Sequence, residues 1–338
     1  MSTVLVTGGA GFMGSHLVER LLEEGIAVRI LDNLSTGSLG NLQGVVERFH
    51  GQGEGSGGVK PGGQLEVVIG DVRDRELVRT ATRNVQAVFH LAAIPSTLLG
   101  LMSPAELETV NVQGTLNVLQ AAVTEGVRRL VFASSASVYG TPESLPVSET
   151  CPLKPESLFA ASKLAAEMYC RTYATIHKLD VVTLRYFSVY GPRQGTATGD
   201  ALIPELIEVV RRRPTVFSRG GTSAEDLTYV DDAVEATRAA AAAPNAGGQT
   251  INIGSGRMSS VLEILHILYD LLKVPPVAAS KLTAPISSSR VQAGVALAAD
   301  LLGCTARVSL AMGLARVVQA MTDPEAFDGQ ALVGSQVG

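Results

Sequence analysis

Residues 7–14 read Thr-Gly-Gly-Ala-Gly-Phe-Met-Gly, directly after the apolar run 4–6 and directly before a helix-period segment over 16–24. A strand that turns on glycines into a helix constrains the fold more than any other feature of the chain. Gly9, Gly11 and Gly14 satisfy GxGxxG, and Gly8, Gly11 and Gly14 satisfy GxxGxxG. Such a turn needs one backbone position with positive φ and a second where the main chain closes on a ligand. It needs a third where helix meets strand with no Cβ between them. The helix N-terminus at Phe12 and Met13 then offers unpaired N–H groups and a partial positive charge, which suits phosphate.

The next strand-like run, 28–31, ends in Asp32 followed by Asn33. An acidic side chain at that place accepts from the ribose hydroxyls of a dinucleotide and repels a 2′-phosphate, so the pattern predicts NAD over NADP. Asp71 and Val72 follow the run 67–69, and Leu91, Ala92 and Ala93 lie at the end of the run 87–91. These residues are expected to complete the cofactor wall. Asp71 has two readings, an approach to the adenine or a plain helix cap.

Short apolar runs at 4–6, 28–31, 67–69, 87–91, 130–133 and 181–185 alternate with helix-period segments at 16–24, 75–82, 110–125 and 162–177. That alternation predicts an α/β fold with a parallel sheet covered on both faces. Three divisions are expected: a dinucleotide-binding domain over 1–190 to which some later segments return, a smaller lobe over 191–322, and a flexible tail over 323–338. The glycine-rich stretch 50–64 reads as a mobile surface insertion.

Net charge is −5, and the one basic run, 211–213, reads as a solvated helix end, so a nucleic-acid or membrane-surface partner is not expected. Cys151, Cys170 and Cys304 are widely spaced and match neither a disulfide framework nor a metal site. They are expected to be reduced thiols of a cytoplasmic protein.

The chain resembles the extended short-chain dehydrogenases/reductases of the NAD-dependent epimerase/dehydratase type. The motifs run in order from VTGGAGFMGSHL through DNLSTG, GDVRD, VFHLAA, NVQGTLNVLQAA, FASSASVYG, SKLAAE, RYFSVYGPRQ and YVDDAVEA to INIGSG. The resemblance implies a Rossmann doubly wound parallel sheet with a C-terminal substrate lobe. SSASVYG is most similar to the UDP-hexose 4-epimerases within that family. It also implies a homodimer paired through the helices over 110–125 and 162–177.

In that family the chemistry rests on a Ser/Thr, a Tyr, and a Lys four residues beyond the Tyr. Ser135 and Lys163 match the first and last, but the tyrosine position is Phe159. A phenylalanine has no proton to exchange, and loss of a general base removes about 10²–10⁴-fold of rate. The substrate side departs as well. Ser188 stands where the family has Asn, and Glu225 stands where an arginine holds nucleotide phosphates. A later Arg-x-Gly-Asp motif aligns with 284–287, with Arg290 nearby.

Three readings follow. One is an NAD enzyme with a diverged small-molecule substrate. The second is a UDP-sugar 4-epimerase in which Phe159 is engineered or compensated, and the third is a protein that binds NAD without turnover. Several departures together favour the first. Tyr139, Tyr186 and Tyr190 belong to motifs kept for structure, and His90 is expected to pack or to bond to backbone.

Overall fold

The computed structural model describes residues 3–49, 64–95, 103–195, 201–212, 224–275 and 291–322. Nearly all of the stretch 50–64, the segment 284–287, Arg290 and the tail 323–338 lie outside the described residues.

Seven strands form one parallel sheet: β1 (Thr3–Thr7), β2 (Ala27–Asp32), β3 (Leu65–Ile69), β4 (Val85–His90), β5 (Arg129–Ser135), β6 (Asp180–Tyr186) and, later in the chain, β9 (Thr250–Ile253). Their order is β3-β2-β1-β4-β5-β6-β9. The chain therefore builds outward from β1 on one side and then returns to start β4 on the other. The reversal leaves a crevice beyond the carboxyl ends of β1 and β4, where ligands bind in open α/β sheets.

Residues alternate between two cores, as the two-residue period of a strand requires. Val4 and Val6 pack with α1 (Phe12–Glu23) on one face. Leu5 points the other way, towards α3 (Arg75–Thr82), α5 (Gly114–Thr124) and α6 (Leu158–His177). Each such fully buried Val or Leu contributes about 1.5–3 kcal/mol. Of the remaining helices before α6, α2 spans Gln43–Phe49 and α4 spans Pro104–Glu108.

Two helices begin earlier than their sequence pattern predicts, and local capping explains both. The glycine motif itself supplies the first turn of α1, with Gly11 as N-cap. α6 starts at Leu158 because the Ser157 hydroxyl accepts the Ala160 N–H. The helix expected over 110–125 opens with a π-helical turn, Thr109–Gln113.

A three-stranded sheet sits above the carboxyl edge, with β8 (Ala224–Tyr229) between β7 (Ser188–Tyr190) and β10 (Met258–Ser260). Around it lie α7 (Leu202–Arg212), α8 (Val230–Ala242), α9 (Val261–Leu272), α10 (Ala296–Leu302) and α11 (Leu310–Thr322). β9 pairs with β6, so segments beyond residue 190 do return to the main sheet. Arg211 and Arg212 are exposed at the end of α7 and paired to Glu208, as a solvated helix end should be.

Buried Asp226 ties the small sheet to two loops. Its carboxylate accepts the N–H groups of Ser255, Gly256 and Ala293 and the Ser255 hydroxyl. Burial pushes its pKa up against those bonds.

Candidate functional site

One cleft of about 670 Å³ opens at the crevice between β1 and β4. Every cofactor and catalytic residue named from the sequence lines it, except Gly9 and Asp71. Nearly all come from strand ends or the turns that follow them, because a parallel sheet delivers every carboxyl end to the same edge.

At the glycine end the backbone leaves no room for side chains. Gly8 has φ +73°, and a Cβ there would meet Ala92 N at 2.8 Å. A Cβ on Gly14 would overlap the Gly8 carbonyl oxygen. The first turn of α1 thus packs directly on the strand–helix turn, with its amides at the cleft. Arg193 lines the cleft too, but its guanidinium bonds to Glu19 at 2.6 Å and is held against α1.

Asp32 is buried at the end of β2. One carboxylate oxygen accepts Ala10 N–H at 2.9 Å and the other accepts Leu34 N–H at 2.8 Å. A carboxylate offers about four acceptor sites, so two remain for ribose hydroxyls. Glycines whose side chains would fill the cradle, a helix start and this carboxylate together fit a dinucleotide.

Asp71 is not the cap of the helix that follows it. Asp74 caps α3, accepting from Glu76 and Leu77 N–H. Asp71 instead folds onto Arg73 at 2.8–2.9 Å and accepts the Asn33 amide at 2.7 Å. The Arg73 hydrogen bonds hold its pKa down at about 2. Its role is to fix Asn33 and Arg73, which do line the cleft.

At the opposite end stand Ser135, Phe159 and Lys163. Ser135 ends β5 and caps the following 3-10 turn, accepting Ser137 N–H at 3.2 Å. Phe159 and Lys163 are one turn apart on α6, so they share a face. Lys163 is buried, its Nζ donates to Ala133 O at 2.8 Å, and it lies 5.2 Å from the Phe132 ring centroid and 5.9 Å from that of Phe159. Burial brings its pKa down to about 8.

The hydroxyls of Tyr139, Tyr186 and Tyr190 are engaged within the fold. Tyr139 donates to Asn252 at 2.6 Å and accepts from Arg185 at 2.9 Å. Tyr186 bonds to Thr237 at 2.7 Å, and Tyr190 donates to Leu310 O at 3.4 Å. Burial raises the pKa of each.

His90 is buried and packs beside the Phe132 ring, as expected, while its ring nitrogens bond to hydroxyls and not to backbone. Thr115 gives its hydroxyl proton to Asn111 O at 2.6 Å, so it accepts from His90 Nε2 at 2.9 Å. Thr7 then donates to Nδ1 at 2.7 Å and accepts Ala92 N–H at 3.3 Å. The buried ring is a neutral relay that fixes the cleft wall, with burial taking its pKa to about 3.

Asn111, in the π-helical turn, had not been singled out. Its side chain holds Ile94 N–H at 2.8 Å and Ile94 O at 3.2 Å, and donates to Ser162 at 3.0 Å. It thereby locks the wall after β4 to the residue beside Lys163. The motif NVQGTLNVLQAA contained it, but a polar residue in an apolar helical run carries no sign of its partners.

Ser188 and Glu225 are not on the cleft lining, although Phe187 and Val189 are. The two meet each other: Ser188 on β7 donates to Glu225 Oε2 on β8 at 2.6 Å. Among the described residues no group of three or more His, Cys, Asp or Glu is placed to hold a metal. No described helix is long and apolar enough to cross a membrane. All three cysteines are free thiols.

The model of the NAD dependent epimerase/dehydratase family matches residues 4–254. The UDP-glucose 4-epimerase of Mycolicibacterium smegmatis is 35% identical over 322 residues, covering 93% of this chain and 97% of its own. Among solved structures, a UDP-glucose 4-epimerase of Thermotoga maritima with UDP-glucose superposes with a TM-score of 0.81 at 28% identity, covering 94% of this chain and 97% of its own. A tyrosine-to-phenylalanine variant of UDP-glucuronic acid 4-epimerase from Bacillus cereus, in complex with UDP-4-deoxy-4-fluoro-glucuronic acid and NAD, gives 0.80 at 28%, covering 94% and 98%. With that match over most of its length, and a cleft built to take the dinucleotide, the chain is a member of the NAD-dependent epimerase/dehydratase family of enzymes.

Proposed function

We infer that this enzyme oxidises and re-reduces a carbinol of a substrate other than an ordinary nucleotide sugar. The observation that carries the reading is a contrast within one molecule. The glycine cradle, Asp32 and Lys163 are in place, while the chemical end presents Phe159 and the small sheet closes Ser188 onto Glu225. A carboxylate stands where the family resemblance puts a phosphate-binding arginine.

On this reading the amides at Gly11–Gly14 hold the pyrophosphate and Asp32 takes the adenosine ribose. NAD, when bound, accepts a hydride from the substrate and returns it. Ser135 has no hydrogen-bond acceptor for its hydroxyl proton among the described residues, so it is available to the substrate oxygen. Phe159 shapes that end of the cleft and excludes water without taking part in proton transfer. The residues beyond 190 that surround the small sheet form the substrate lobe.

Each charge-assisted bond to a diphosphate is worth about 1.5–3 kcal/mol. Loss of two such contacts weakens a nucleotide sugar by about a thousand-fold, and Glu225 adds repulsion. Calorimetric titration of the NAD-loaded protein with UDP and UDP-hexoses is therefore expected to show no micromolar binding. Micromolar affinity for UDP would overturn the reading. The same result would favour the second reading, a UDP-sugar 4-epimerase, which the names of the relatives support.

The reading includes a homodimer through α5 and α6 and a cytoplasmic location, the latter resting on three free thiols. On α6, Tyr169 is 41% and Ile176 is 66% exposed, seven residues apart on one face. Sedimentation should give a dimer for the wild type and a monomer for Tyr169→Glu/Ile176→Glu; a wild-type monomer contradicts it.

A further inference from the structure

We propose that Lys163 itself exchanges the proton of the substrate hydroxyl in this chain. The inference rests on the reading that the cleft oxidises a carbinol and goes on to name the acid–base group. Among the described residues six titratable side chains line the cleft: Asp32, Arg73, Glu106, Lys163, Tyr186 and Arg193. Five are committed elsewhere. Asp32 accepts two backbone N–H groups, Arg73 pairs with Asp71, and Glu106 caps its own helix with Ser103. Arg193 pairs with Glu19, and buried Tyr186 bonds to Thr237. Lys163 is left, on the same helical face as Phe159: its Nζ gives one N–H to Ala133 O at 2.8 Å and makes no ion pair among the described residues.

The surroundings of Nζ let the amine cycle between its charged and neutral forms. Four charged or titratable groups act on it or on its neighbour. Glu167, one turn further along α6, is neutralised by Arg185 of β6 through bonds of 2.7 Å and 3.0 Å. Cys170 of α6 is buried, which keeps it a thiol, and His90 of β4 is neutral. No unpaired anion is there to pin the ammonium. Burial pulls the amine down to about 8, close to where a proton-transfer group works best. The Phe132 and Phe159 rings, within 6 Å, temper that by favouring the cation.

The step balances without a phenol. The carbinol C–H electron pair leaves as hydride to bound NAD, the O–H proton passes to neutral Nζ directly or over one water, and C–O becomes C=O. The return reverses this, with the Lys163 ammonium reprotonating the oxygen.

Two readouts on the NAD-loaded protein test the proposal. In protein labelled with lysine enriched at Cε, the Lys163 resonance is identified by its absence in Lys163→Arg and followed over about pH 6 to 11. A midpoint near 8 is the expected result; one at the ordinary lysine value of about 10.4 overturns the proposal. Reduction of bound NAD is then followed with D-glucose and UDP-glucose as probe alcohols. The rate is expected to rise with pH to a plateau above about 8. Lys163→Arg, which keeps the charge and the donors, is expected to retain NAD binding and lose about 10²–10⁴-fold of rate. A Lys163→Arg rate within a few-fold of wild type, or a flat pH profile, overturns the proposal. Failure of both alcohols to reduce NAD is what a substrate other than a nucleotide sugar or a free hexose gives, and the lysine midpoint then decides this inference.

Discussion

A Glu167→Leu chain is expected to lose about 3–5 kcal/mol of folding stability, seen as a lower midpoint in urea unfolding. Glu167 and Arg185 are 7% and 5% exposed and paired side-on, Nε and Nη2 each donating to one carboxylate oxygen. Ser134 donates to the same carboxylate, while Arg185 also donates to Tyr139 and, at 3.4 Å, to Glu149 O. Removing the carboxylate strands a cation inside the protein, between β5, β6 and α6. The cost is that of the orphaned charge, not the net worth of the pair. Arg185→Met added to Glu167→Leu should therefore recover most of the loss, whereas a single variant within about 1 kcal/mol of wild type would show that the pair is solvated.

The second large effect concerns Gly14. In Gly14→Val the new side chain would overlap the Gly8 carbonyl, and Gly8 cannot yield because it sits at φ +73° against Ala92. The first turn of α1 must move away from the strand, taking its amides off the phosphate position. NAD affinity is expected to fall more than about 100-fold, or near 3 kcal/mol. Gly44→Ala in α2, where a Cβ meets nothing within 4 Å, provides the control and should bind as wild type does. Equal affinities for the two variants would mean that the dinucleotide lies elsewhere.

The parts of the site legible in the sequence are those whose chemistry is local. A glycine turn, the carboxylate closing the next strand, and the spacing of Phe159 and Lys163 within one helical turn each announce themselves over a few residues. The first six strands of the main sheet are legible from the same local alternation. β9 did not stand out as a strand, because its four residues join the sheet only through pairing with β6. Of the two readings of Asp71 the helix cap falls, because capping depends on which of two nearby aspartates reaches the helix N–H groups, and Asp74 does. Asn111, the His90 relay and the Ser188–Glu225 bond are long-range pairings, which one-dimensional patterns do not carry. That last pair matters most: two positions that look independent in sequence are one interaction in the fold.

The most direct test of the account is calorimetric titration of the purified, cofactor-stripped chain with NAD and with NADP. NAD is expected to bind in the micromolar range and NADP much more weakly, because an acidic side chain where Asp32 ends β2 accepts from ribose hydroxyls and repels a 2′-phosphate. No binding of NAD, or tighter binding of NADP, would contradict it.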